Sequence, residues 1–139
     1  MLSIRPFLLV VTSAVVLFFA FSNPAFSQEK NTITVSEASV CLDVVDLSCI
    51  GENELFPAEA GKIYCHSRIV GARVPVTVTH VWYFGNLEVA RVPLSVKSSN
   101  WRTYSSKRIL PGHIGDWHVD IVGPAGTILK KVMFKVTPQ

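Results

Sequence analysis

The fold turns on residues 76–96, VTVTHVWYFGNLEVARVPLSV. Val78, His80, Trp82 and Phe84 fall on one side of a period-two pattern, the period of a strand with one face buried. Gly85-Asn86 interrupts the pattern after Phe84, and it resumes at Leu87. A Gly-Asn dipeptide between two such runs suits the positive φ angles of a two-residue turn, so a hairpin is predicted between Val76–Phe84 and Leu87–Val96. His80 lands on the apolar face, where a hydrogen-bonded core histidine is expected rather than a ligand.

The same reading extends outward in both directions. Residues 33–45 alternate through Ala38, Val40, Leu42 and Val44 and predict a first strand. Residues 46–60 are polar and turn-rich around Gly51 and Pro57 and read as a loop. Further strands are predicted over 62–70, 101–109, 117–122 and 128–136, with turns at 73–75 and at Pro124-Ala125-Gly126. On the strand at 117–122, Trp117, Val119 and Ile121 share the core face, while His118 and Asp120 share the other. Trp82 and Trp117 read as core. No helical period and no internal repeat is present. Seven short strands predict a single all-β domain, an immunoglobulin- or fibronectin-like antiparallel sandwich.

The first residues do not belong to that core. Arg5 gives a short positive region, residues 7–21 are apolar apart from Thr12 and Ser13, and Ala25-Phe26-Ser27 offers a small-x-small site. These are the parts of a signal peptide over 1–27, cut after Ser27, leaving the domain at 28–139. The apolar run stops at Ser22-Asn23-Pro24, short of the roughly 20 residues a membrane helix needs. No integral membrane segment is expected after cleavage, and the domain is expected in the periplasm or secreted.

Without Arg5 the 13 basic residues become 12 against 10 acidic ones, a balance too even and too scattered for nucleic acid. Three cysteines permit at most one internal bridge. Cys41 and Cys65 are the expected pair, since adjacent antiparallel strands bring such positions within bridging range, and Cys49 is the expected free thiol. Cys65-His66 lacks the second cysteine of a haem attachment site, and the four histidines lack metal-site spacing. No cofactor and no metal are expected.

Three segments carry a resemblance: HVWYFGN at 80–86, WRTYSSKRILP at 101–111 and GDWHVDIVGPAG at 115–126. Together they resemble the bacterial family catalogued as domain of unknown function (DUF) 2914 from about residue 35 to 136. His80 and Trp82 match its H-x-W, Trp101 and Arg102 its WR pair, 105–107 its SSK, and Gly115 and Trp117 its G-x-W. Asp46-Leu47-Ser48-Cys49 stands where many relatives carry an Arg-Glu-Pro-like stretch. The resemblance implies the fold and an exported setting and implies no activity.

Catalytic chemistry finds no foothold in the sequence. There is no GxSxG elbow, and the carboxylates of Asp43, Asp46, Glu52, Glu54, Glu88, Asp116 and Asp120 are scattered. The densest chemistry is Trp101, Arg102, Tyr104, Lys107 and Arg108, the candidate binding residues, because aromatic and arginine anchors dominate interfaces. The structural alternative has Arg102 packing its stem over a tryptophan ring. A non-enzymatic module binding another protein or an envelope component is expected; the other reading is a cell-wall glycan-binding or hydrolytic domain.

Overall fold

The two alternating runs of 76–96 pair as a hairpin, and the remaining strands build on both sides of it. The computed structural model describes residues 32–138, so the expected signal peptide and its cleavage site lie outside the described residues. The strands are β1 (Thr34–Cys41), β2 (Asp43–Val45), β3 (Ser48–Ile50), β4 (Leu55–Pro57), β5 (Lys62–Val70), β6 (Val76–Phe84), β7 (Leu87–Val96), β8 (Asn100–Arg108), β9 (Gly115–Val122) and β10 (Ile128–Thr137). A 3-10 turn, Ala58–Ala60, follows β4.

One sheet has the order β1-β5-β8, the other β4-β10-β9-β6-β7, and β2-β3 stand apart as a small hairpin. The two larger sheets face each other as a β-sandwich, and its seven long strands are the seven expected. In a constant-type immunoglobulin domain the fourth strand joins the sheet of the first. Here β7 pairs with β6 instead, dividing the long strands three against four. As an edge strand β7 tolerates Pro93, whose missing N–H would break an interior ladder.

Two apolar clusters fill the space between the sheets. Val40, Ile63 and Cys65 of one sheet meet Trp82, Trp117, Val119, Phe134 and Val136 of the other, with Phe56 from β4. Phe134 is the hub, its ring centroid 5.9 Å from both Phe56 and Trp117 and 6.2 Å from Trp82. Ile69, Val78, Val96 and Ile121 form the second cluster, with Trp101 packed against it. Each buried side chain of this size contributes roughly 1.5–3 kcal/mol of transfer free energy.

Four details differ from the sequence expectations. The first strand breaks at Leu42, whose neighbours on either side belong to β1 and β2. The expected loop 46–60 holds β3, β4 and the 3-10 turn, segments of three residues that are too short to show a period. β4 pairs with β10 in parallel, Val136 opposite Phe56, so the sheet is mixed rather than wholly antiparallel. At the Gly85-Asn86 turn only Gly85 takes a positive φ, 57°, the pattern of a type II′ turn with glycine leading.

The disulfide is a correction. Cys41 is joined to Cys49, with Cα atoms 5.7 Å apart, and not to Cys65. The register explains why: Cys65 lies opposite Val40, while Cys41 lies opposite Tyr64. Residues directly opposite share a face, so Cys41 and Cys65 point to opposite sides of one sheet. Cys65 is the free thiol, buried in the core, where desolvation pushes its pKa up to about 12.

Candidate functional site

Polar chemistry concentrates in two places, one between the sheets and one on the outer face of β1-β5-β8. Between the sheets, His80 Nδ1 lies 2.7 Å from Ser105 Oγ on β8, and its Nε2 lies 2.9 Å from Ser67 Oγ on β5. Trp82 Nε1 donates to the same Ser105 oxygen at 3.0 Å. A hydroxyl has one proton to give and two lone pairs, so Ser105 serves both rings. Burial, with the nearby charge of His66 as the smaller cause, pushes the His80 imidazole down to about 4, so the ring is neutral. The arrangement ties β6 of one sheet to β5 and β8 of the other. It is the core histidine expected from the alternation, and the SSK motif supplies its partner.

The outer face is built by parity. Since Ile63, Cys65 and Ile69 face the core, Tyr64, His66 and Arg68 of β5 face outward. Opposite them on β8 stand Ser106, Tyr104 and Arg102, and on β1 stand Cys41, Ser39 and Glu37. The β2-β3 hairpin folds over this face and is fastened to β1 by the Cys41–Cys49 bridge. Its two turn residues, Asp46 and Leu47, both take positive φ, 49° and 57°. That is the type I′ pattern without the usual glycine.

Below the hairpin lies a cavity of about 170 Å³ lined by Glu37, Ser39, Cys49, Glu52, His66, Arg68 and Arg102, among others. Beside it opens a cleft of about 470 Å³ formed by Leu47, Arg68, Asn100, Trp101 and Arg102. Arg102 Nη1 donates to the Leu47 carbonyl at 3.4 Å. Arg68 Nε and Glu37 Oε2 form an ion pair at 3.4 Å, at an angle too poor for a hydrogen bond. His66 is only 6% exposed although it points away from the core, because the hairpin covers it. Its pKa is lowered chiefly by that burial; the Leu47 backbone opposes the shift, Arg102 adds to it, and Glu37 and Arg68 act more weakly in opposite directions.

The five candidate binding residues do not form one patch. Arg102, Tyr104 and Arg108 project from the outer face, whereas Trp101 and Lys107 take the inward parity at the edge strand β8. Trp101 is half-buried against the second core cluster and reaches the wall of the cleft. Lys107 turns its ammonium to the carbonyl of Arg108 at 3.0 Å. Tyr104 lies beside Tyr64, ring centroids 6.1 Å apart, and Lys62 stands over the Tyr64 ring at 5.4 Å. His66, Arg68 and Glu37 do not stand out in the sequence. Their outward parity on strands 62–70 and 33–45 is readable, but nothing in the alternation announces the hairpin that covers them.

The molecule is thus an all-β sandwich with Arg68, Arg102, Tyr64 and Tyr104 on one outer sheet face, part of which lies beneath a disulfide-fastened hairpin. Residues 75–136, from the eve of β6 through most of β10, match the family described as Protein of unknown function (DUF2914). Arg102, Tyr104 and the His80–Ser105 pair lie within the match; the hairpin, the disulfide, His66 and Arg68 precede it. No curated protein matches the chain. Among the described residues no group of acidic, histidine and cysteine side chains has the arrangement of a metal site, and no helix is long and apolar enough to cross a membrane.

Proposed function

We propose that this protein is an exported, non-enzymatic binding module that recognises another protein or a cell-envelope component through the outer face of β1-β5-β8. The observation that carries the reading is the cross-strand placement of Arg102 opposite Arg68 in the wall of the cleft, with Tyr104 exposed two residues along the same face of β8. Arginine and tyrosine are the residue types that most often anchor interfaces. The compartment is inferred from the N-terminal segment and from a disulfide, which persists under oxidising conditions. The hydrolytic alternative gains no support from the serine–imidazole contacts, because Ser67, His80 and Ser105 are buried between the sheets, where no substrate reaches.

The experiment is cross-linking of the purified domain, carrying a photoreactive group at Ser106 on the same outward parity of β8, to its native envelope. Partners are identified by mass spectrometry. The triple variant Arg102→Ala, Tyr104→Ala, Arg108→Ala should lose the partners recovered by the wild type, while Met133→Ala on the other sheet should keep them. Identical partner sets from the two variants, with both folded, would remove the outer face from consideration.

A further inference from the structure

We infer that the cavity under the β2-β3 hairpin is a receptor for a single carboxylate, held between the Arg68 and Arg102 guanidiniums with His66 Nε2 at its floor. This deepens the proposed binding role, and it rests on that reading for its placement on the outer face.

The charges are the first argument. Arg68 and Arg102 are directly opposite each other on β5 and β8, where like charges repel. Glu37 answers only one of them, through Arg68 Nε. Arg102 has as its acceptor among the described residues a single carbonyl, that of Leu47, at the long distance of 3.4 Å. A guanidinium carries five N–H groups in a planar fork that matches a carboxylate in bidentate fashion. A carboxylate between the two forks would turn a repulsive pair into a clamp.

The second argument is independent of charge. His66 is more than nine-tenths buried, lines the cavity, and its Nε2 has no hydrogen-bond partner among the described residues. Buried polar atoms are almost always satisfied, and an orphan in a cavity wall marks the place of a missing partner. A neutral imidazole can serve a carboxylate through an N–H, or serve the amide or hydroxyl next to one.

The walls select among anions. Glu37 and Glu52 both line the same cavity, and two carboxylates at the rim disfavour a dianion such as phosphate over a monoanion. About 170 Å³ holds a carboxylate head and its first neighbours, and the adjoining cleft of about 470 Å³ offers Asn100 and the Trp101 edge to the remainder of the ligand. A peptide C-terminus and a sugar acid share this chemistry.

The test uses the purified protein with its disulfide intact and monitors the His66 ring resonances by NMR. N-acetylalanine, glucuronate, inorganic phosphate and the neutral N-acetylalaninamide are titrated separately. At least one of the two carboxylates should move the His66 signals saturably, and the stronger of them names the source. The amide should leave them unmoved. Arg102→Lys, which keeps the charge but loses the fork, should weaken the response by about tenfold or more. Phosphate binding more tightly than either carboxylate, an equal response to acid and amide, or an unchanged response in folded Arg102→Lys would overturn the assignment. A domain that captures a partner through the outer face yet ignores both carboxylates loses this inference and keeps its binding role; one that takes the carboxylate and captures nothing does the reverse.

Discussion

His80 shows how one buried side chain can set the acid limit of a fold. Its pKa falls from the ordinary 6.5 to about 4 in the folded state. The unfolded chain therefore binds more protons between those values, and stability must rise with pH across that window. The contribution is fully present above 6.5 and is lost as the pH drops to about 4, on the order of 3 kcal/mol in all. Urea unfolding at pH 4 and pH 7 should register this loss, and His80→Gln should flatten that pH dependence. Ser105→Ala is a sharper probe: it strands both His80 Nδ1 and Trp82 Nε1 in the core. Each orphaned group costs about 1–3 kcal/mol, so the variant should lose about 2–6 kcal/mol in chemical denaturation. A loss below about 1 kcal/mol would mean that the shared hydroxyl matters little. Alternation places His80 on an apolar face, but its partners stand 13 and 25 residues away, and only the sandwich brings them together.

At the scale of elements, the disulfide does for the β2-β3 hairpin what packing does for the long strands. Three-residue strands bury little, and the turn at Asp46-Leu47 puts a leucine in the left-handed region, which costs roughly 1–2 kcal/mol. The Cys41–Cys49 bridge closes a short loop, with a sequence separation of 8, and should contribute about 2.5 kcal/mol on the chain-entropy model. Non-reducing peptide mapping should find Cys41 joined to Cys49. Cys65 should react with an alkylating agent only after unfolding, since its thiol is buried and its pKa is pushed up to about 12. Rapid alkylation of Cys65 in the native protein would contradict the core placement. The long strands are legible in the sequence because eight to ten residues display their period; β2, β3 and β4 are not, because three residues have none. The bridge escapes a sequence reading for a related reason: strand adjacency is readable from order, but the one-residue register that sends Cys41 and Cys65 to opposite faces is not.

For the molecule as a whole, the two outer sheet faces have different characters. On β4-β10-β9-β6-β7 the charges answer each other: Lys131 lies 3.8 Å from Asp120, Lys135 lies 3.5 Å from Asp116, and Arg91 lies 2.6 Å from Glu88. On β1-β5-β8 Glu37 answers Arg68, while Arg102 opposite it has only the Leu47 carbonyl as a partner among the described residues. The near-neutral composition hides this asymmetry, because a total charge sums over faces that only the folded chain separates. The sandwich itself is legible from seven alternating runs; the candidate site is legible only as far as Arg102, Tyr104 and Arg108. Its other half comes from strands much earlier in the chain, β5 beside β8 and β1 beyond it. The strand order also dictates a timetable for the growing chain. β10 sits between β9 and β4 as an inner member of its sheet and supplies Phe134 and Val136 to the core. Until residues 128–137 have been made, two strand edges stay unpaired and the aromatic hub is missing, so the core of this sheet cannot close before the last strand arrives.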